Sequence, residues 1–140
     1  MVKYLLATDA VSEPARRHPS PPFMALLREH AGDVAISVIS VAEIVYGARC
    51  VTGGERYLEY LTRAVLPNVP VIDVDIAVAT RYGELRARLE RSGTPLADLD
   101  LLIAATALGR GMTLVTGNRK HFERINGLAL AGWLDRRAEV

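Results

Sequence analysis

The 140-residue chain is long enough for one domain with a sizeable core, and half of its residues are hydrophobic although only 6% are aromatic. Its net charge of +1 identifies no partner, no apolar run approaches the ~18 residues needed to cross a membrane, and the N-terminal apolar stretch is too short for a signal peptide. The single cysteine, Cys50, excludes an internal disulfide and is typical of the reducing cytoplasm.

The first half of the chain is predicted to alternate short apolar strands with helices. Apolar runs predict strands at residues 4–6 and 34–37, of which the first is expected at the centre of the sheet. Helical spacing predicts helices over residues 23–29, 41–50 and 55–64.

The second half continues the same alternation. Strands are expected at 70–74, 113–116 and 128–130, and helices at 75–90 and 98–108. The longer helix is predicted to face inward through the following residues: Ile76, Ala79, Tyr82 and Leu85 or Leu89.

Strands that alternate with helices predict one α/β domain with a central parallel sheet of about four to five strands and right-handed crossovers. This domain is expected to span residues 1–134, and the polar tail, 135–140, is expected to fray.

Acidic and amide side chains lie where predicted strands end and helices begin, in four segments, residues 5–9, 40–43, 98–105 and 115–118. In a parallel α/β fold, strand carboxyl ends and helix amino ends lie along one edge, so these segments can converge. Clustered carboxylates at such an edge are typical of a Mg²⁺ or Mn²⁺ site.

Most of these side chains also have a purely structural interpretation. Glu43 follows Ser40 at the spacing of a capping box, and Asp98 is placed as a helix N-cap. Asp9 would cap a helix beginning at the next residue, and Asn118 is a common turn residue. Each signal alone is therefore weak, and their order along the chain carries the interpretation.

Asp100 is the strongest single functional candidate. It shares a helix face with Ala104 and Ala107, small residues that allow close packing on a sheet. An acid on such a face is costly unless it has a partner. The three histidines share no ligand spacing, so zinc is not expected.

In combination, the segments resemble the PIN-domain family, and specifically the VapC-type toxins of bacterial and archaeal toxin–antitoxin pairs. The similarity extends over residues 3–133. Residues 3–12 are similar to the family's opening, 36–47 to its second motif, 100–107 to its third and most specific motif, and 114–122 to its fourth.

The resemblance implies a PIN-like fold and a metal-dependent endoribonuclease in which acids hold one or two Mg²⁺ or Mn²⁺ ions. By position, it implies that Asp100 and Glu43 are catalytic residues, with Asp100 a metal ligand and Glu43 either a metal ligand or a base that does not touch the ion. Asn118 would be a neutral ligand or would position water. The ion would activate water to attack an RNA phosphodiester.

The resemblance also implies further contacts and partners. Thr8 and Ser40 would position water, and Arg119 and Lys120 would contact the RNA backbone. The protein partner would be a cognate antitoxin whose C-terminal segment covers the groove, often with an arginine against the acids. A tRNA or rRNA substrate, a homodimer and a cytoplasmic location follow from the same likeness.

The chain departs from the family at Ala7, where the first metal-binding aspartate is expected. Only Glu43 and Asp100 remain as firm acids, although Asp98 could complement them, whereas Asp9 is expected to point toward its own helix. Losing one of three carboxylates should weaken cation binding severely. The chain is therefore expected to be inactive as a nuclease.

Ala7 has two interpretations. A deliberate replacement of aspartate would allow a toxic ribonuclease to be expressed, and we favour it because the other motifs are intact. A natural loss would instead give a PIN-like pseudoenzyme that binds RNA or a protein partner without cleavage.

A receiver-type signalling domain also clusters acids at strand ends, but it needs an acidic pair after the first strand, which Ala7 and Thr8 do not provide.

Overall fold

The computed structural model of the chain describes residues 2–134, so the tail predicted to fray, 135–140, lies outside the described residues. Strands and helices alternate as expected from the sequence. The strands are β1 (Tyr4–Leu6), β2 (Val34–Ser37), β3 (Val71–Ile72), β4 (Thr113–Val115) and β5 (Leu130–Ala131). The α-helices are α1 (Thr8–Ser12), α2 (Pro21–Glu29), α3 (Val38–Cys50), α4 (Glu55–Tyr60), α5 (Ile76–Arg91), α6 (Asp98–Gly109) and α7 (Arg119–Phe122).

The strands form one sheet in the order β3-β2-β1-β4-β5, with every neighbouring pair parallel. Leu5 in β1 lies beside Ala35 in β2 and Leu114 in β4. The predicted α/β fold with a central parallel sheet is confirmed, and β1 is its middle strand. The carboxyl ends of β1, β2 and β4 consequently lie next to one another.

The sheet separates two apolar cores. Because side chains alternate along a strand, Leu5 belongs to the core beneath α5 and α6, whereas Leu6 belongs to the core beneath α1 and α2. The three alanines of α6 are all fully buried and allow that helix to lie close to the sheet. This close packing brings the first turn of α6 to the carboxyl edge of β1.

The start of α3 differs from the prediction. The helix begins at Val38, directly after β2, and its cap is Ser37, whose Oγ accepts the backbone N–H of Ile39 at 3.0 Å. Ser40 therefore lies inside the first turn, and the capping-box interpretation of Ser40 and Glu43 is wrong. The side chain of Glu43 is thereby left for another contact.

The first turn of α5 was also assigned the wrong inward face. Ile76 is 85% exposed and Ala79 is exposed as well. The helix is capped by Asp75, whose carboxylate accepts the N–H of Val78 at 2.9 Å. The buried residues of α5 are Val78, Leu85 and Leu89. Ile76 precedes Val78 by two residues, which is about 200° around the helix, so Ile76 faces solvent while Val78 faces the core.

Other element boundaries shift by a few residues. The strand expected at 70–74 is shortened to β3 at the sheet edge, and the one expected at 128–130 lies at β5. The helix expected over 55–64 ends at Tyr60 and continues as a π-helical turn, Leu61–Val65. Within residues 2–134, no helix is both long enough and apolar enough to span a membrane.

Candidate active site

A cavity of about 350 Å³ opens at the carboxyl edge of β1 and β4. It is lined by Ala7, Thr8, Asp9, Ser12, Glu43, Asp100, Ile103, Thr116, Asn118, His121 and Phe122. Five of the predicted site positions thus come together here, from four separate segments of the chain. Four others do not line it: Ser40, Asp98, Arg119 and Lys120.

Ala7 lies at the junction between β1 and α1. Its N–H donates to the carbonyl of Val115 in β4 at 2.9 Å, and its carbonyl accepts the N–H of Val11 at 3.0 Å. It occupies the N-cap position of α1 with extended backbone angles, yet no side chain caps this helix. Only a buried methyl group therefore occupies a position that suits an aspartate both as helix cap and as cavity wall.

Glu43 is held by the hydroxyl group of Thr8, which is itself bonded to the hydroxyl group of Ser40. The Thr8 hydroxyl donates to Glu43 Oε1 at 2.6 Å, and Thr8 Oγ1 lies 3.0 Å from Ser40 Oγ. Since a hydroxyl has a single proton, Thr8 gives its proton to Glu43 and accepts that of the fully buried Ser40. A role of Thr8 and Ser40 in positioning water stays a prediction; Thr8 contacts the carboxylate directly, and Ser40 acts on it only through Thr8.

Asp100 projects into the cavity from the first turn of α6, and its partner is His121. The His121 Nε2 lies 3.0 Å from Asp100 Oδ2. Both side chains are about a third exposed. Sequence reasoning assigned no role to His121, although it lies three residues beyond Asn118 and within the fourth motif, residues 114–122.

Asp98, two residues earlier, faces a different part of the surface. Its Oδ1 accepts the Tyr82 hydroxyl at 2.8 Å and lies 3.2 Å from Nη1 of Arg86. Hydrogen bonds with Tyr82 and Glu90, together with the charge of Asp98, raise the pKa of Arg86. Ala97 occupies the N-cap position of α6, so the capping interpretation of Asp98 is wrong. Asp98 ties α6 to α5 and does not line the cavity.

Asp9 joins α1 to the loop after β4. Its Oδ2 accepts the N–H of Gly117 at 2.9 Å. Glycine is needed at position 117 because a Cβ there would lie only 2.7 Å from the carbonyl oxygen of Leu134. In the same loop, the N–H of Asn118 donates to Thr116 Oγ1 at 3.0 Å. Because α1 already begins at the residue before it, Asp9 does not cap this helix as predicted, and it lines the cavity instead.

The two predicted RNA-binding residues lie beside the cavity. A Cβ built on Gly132 would come within 2.8 Å of Cζ of Arg119, so the guanidinium group lies against the backbone next to β5. Lys120 is exposed. Of the two, Lys120 is the one whose charge is presented to solvent near Asn118.

The cavity offers the kind of donor atoms that a hard divalent cation prefers. Carboxylates of Glu43 and Asp100, the amide of Asn118 and nearby hydroxyl groups are all oxygen donors, and Mg²⁺ is commonly bound through one or two carboxylates while it keeps several waters. Among the described residues, however, no three acidic, histidine or cysteine side chains form a group able to hold an ion. The donor atoms are of the type that such a cation binds, but there are too few carboxylates. The missing one would lie at the position of Ala7.

Comparisons with known proteins extend over almost the whole chain. Residues 4–128 match the PIN domain family. The chain is 34% identical to the tRNA(fMet)-specific endonuclease VapC of Shigella flexneri. The match extends over 137 residues and covers 95% of this chain and 99% of that protein. The structure of the present chain is similar to the DNA-bound VapBC of Salmonella typhimurium, with a TM-score of 0.85 and 32% identity. The match covers 95% of this chain and 99% of that one. VapBC2 from Rickettsia felis, bound to a DNA fragment from its promoter, gives a TM-score of 0.82, 34% identity and coverage of 94% and 98%.

Proposed function

Because the chain belongs to the PIN-domain family, we propose that it is the toxin ribonuclease of a toxin–antitoxin pair, dependent on Mg²⁺ or Mn²⁺ and inactivated in this chain by Ala7. The observation that carries the proposal is the cavity in which Glu43 and Asp100 meet beside Ala7 at the carboxyl edge of the central strand. The endonuclease and ribonuclease names of relatives at 31–35% identity support RNA as the substrate class.

Each residue of the cavity has a distinct part in this function. Glu43 and Asp100 would hold the cation through carboxylate oxygens, and the Asn118 amide would contribute a neutral oxygen. A bound divalent cation supplies activation of water and neutralises charge on the leaving oxygen. Thr8 fixes the orientation of Glu43 through the 2.6 Å hydrogen bond. Lys120, exposed beside the cavity, would attract the RNA phosphates.

The partners follow from the same assignment. The structural relatives are toxin–antitoxin complexes, which supports a cognate antitoxin as the protein partner. The acids of the cavity would attract a basic side chain of that partner. A tRNA or rRNA is the proposed substrate, a homodimer the proposed assembly and the cytoplasm the proposed compartment.

Ala7 itself favours a second candidate, a PIN-like pseudoenzyme that binds RNA or a protein without cleaving RNA. The methyl group of Ala7 is buried in a well-packed junction, so the fold does not need a carboxylate there. Under this candidate, restoring the carboxylate would create a cation site with no nuclease activity.

The deciding experiment is the Ala7→Asp variant. We expect it to cleave RNA with Mn²⁺ or Mg²⁺ and to arrest growth when produced without antitoxin, whereas the unaltered chain is at least ~100-fold less active, since even the supporting residues of metal sites are worth 10–100-fold. Cleavage is measured as fragments of host RNA on sequencing gels.

Two matched variants in the Ala7→Asp background control this experiment. Asp100→Asn should abolish cleavage, whereas Asp98→Asn should leave it within about twofold because Asp98 faces α5 and not the cavity. An Ala7→Asp protein that binds Mn²⁺ and cuts no host RNA would establish the pseudoenzyme.

A further inference from the structure

We propose that His121 is a positioning residue that orients the Asp100 carboxylate for cation binding. The inference rests on the proposed function, because it assigns a further role within that cavity. His121 touches Asp100 at 3.0 Å and lines the same cavity as Ala7 and Glu43. Its side chain acts on the cation through Asp100.

The imidazole is held firmly enough to orient another side chain. His121 lies in α7, a short helix whose next residue, Phe122, is buried in the core beneath α6. The two rings meet edge to face with centroids 5.3 Å apart. The backbone N–H of His121 also donates to the carbonyl of Asn118 at 3.1 Å. The imidazole ring is therefore held in place by the buried Phe122 on one side and by the backbone of Asn118 on the other.

The contact determines which carboxylate oxygen is left for a ligand. With Nε2 protonated, the imidazole donates to Asp100 Oδ2, and Oδ1 is left for the cavity. Among the described residues, no other side chain hydrogen-bonds Asp100, so without His121 the carboxylate can rotate about its terminal bond. A ligand held in its binding orientation loses less entropy on binding, and such supporting hydrogen bonds typically change metal affinity by 10–100-fold.

The experiment compares two substitutions of His121 in the Ala7→Asp background. His121→Leu removes the donor and keeps the bulk, whereas His121→Gln places an amide N–H near the position of Nε2. Mn²⁺ binding is measured by the rise in melting temperature with Mn²⁺ concentration, which does not depend on nuclease activity. Cleavage of an oligoribonucleotide is measured separately as kcat and KM.

We expect His121→Leu to weaken Mn²⁺ binding by about 10–100-fold, and His121→Gln to retain it within a few-fold. Cleavage by the His121→Leu protein should recover toward that of the Ala7→Asp parent at saturating Mn²⁺, with KM for the oligoribonucleotide unchanged. Melting in EDTA reports the fold of each variant independently of the cation.

Three results would overturn the proposal. Equal Mn²⁺ affinity in the His121→Leu and Ala7→Asp proteins would make the histidine contact purely structural. Equal weakening by Leu and Gln would mean that the imidazole touches the cation itself. Absence of Mn²⁺ binding in the Ala7→Asp protein would remove the site altogether, whereas Mn²⁺ binding without RNA cleavage would overturn only the proposed function.

Discussion

At position 7, two opposing effects would act on any carboxylate. The backbone of Ala7 has the extended angles of an N-cap residue, and the amide groups at the start of α1 favour an acceptor there. The same position lines the cavity that contains Glu43 and Asp100, where a third negative charge is repelled. A methyl group avoids this repulsion, so the present residue favours the cation-free protein and disfavours the cation-bound one.

This balance predicts the stability of the Ala7→Asp protein. Without divalent cations we expect its melting temperature to fall below that of the unaltered chain by a few degrees, since ~1 kcal/mol corresponds to roughly 3 °C for a domain of this size. Saturating Mn²⁺ should raise the melting temperature, because an ion that binds only the folded state stabilises it by about 2.7 kcal/mol at 100 times its Kd. Scanning calorimetry in EDTA and in Mn²⁺ measures both effects.

Ala7→Asn is the matched control, because asparagine caps a helix without adding a charge. We expect it to melt above the Ala7→Asp protein in EDTA and to show little response to Mn²⁺. If both variants melted at the same temperature in EDTA, charge repulsion at this position would be contradicted.

At the scale of elements, sequence patterns predicted what depends on local order and missed what depends on tertiary contacts. The central strand and its neighbour β2 were located correctly because strands buried on both faces form continuous apolar runs. The exposed Ile76 was misassigned because the apolar residues of α5 fit more than one helical face, and the buried face is the one that carries Val78, Leu85 and Leu89. Ser40 was misassigned because β2 runs directly into α3, with Ser37 as the cap.

The same distinction applies to the site. Ala7, Glu43, Asp100 and Asn118 were predicted to converge because strand carboxyl ends and helix amino ends share one edge of a parallel α/β fold, and all four line one cavity. The contact between His121 and Asp100 joins residues far apart in sequence, which leaves no periodic signal. Their pairing could be found only from the packing of α7 against α6.

Substitution of two glycines by alanine would test the packing around individual helices. Gly83 is exposed in the middle of α5, and a Cβ there would meet nothing within 4 Å. We therefore expect Gly83→Ala to raise the free energy of unfolding by about 0.5–1 kcal/mol, the difference between glycine and alanine within a helix. Urea denaturation followed by circular dichroism measures the change.

Gly54 supplies the opposite case, because a Cβ there would lie 1.9 Å from the carbonyl oxygen of Ala48 in α3. Gly54→Ala should separate α3 from the turn before α4 and lower the free energy of unfolding by several kcal/mol, within the range of severe packing defects. Equal effects of the two alanines would contradict the close approach of the chain at Gly54.

For the whole molecule, the topology accounts for how a small domain gathers residues from distant segments. The order β3-β2-β1-β4-β5 places β1 between β2 and β4, so the residues after these three strands meet at one edge. Asp100 reaches this edge from α6, which packs on the sheet through small residues. The framework that holds Glu43 and Asp100 is therefore independent of the side chain at position 7, and a partner that covers the cavity would meet the same surface in either form.

This independence predicts that the chain with Ala7 still binds its cognate antitoxin. Relative to the Ala7→Asp protein, it has lost one negative charge, so a basic side chain of the partner would lose part of its pairing energy while Glu43 and Asp100 remain. We expect affinity to fall by no more than about tenfold, which corresponds to ~1.4 kcal/mol, and the salt dependence of binding to become shallower. Titration calorimetry at two salt concentrations measures both quantities, and Asp98→Asn, which changes a charge outside the cavity, should leave them unaltered. A folded Ala7 chain that bound no antitoxin, beside an Ala7→Asp protein that bound it tightly, would show that recognition depends on the missing carboxylate and not on the surrounding framework.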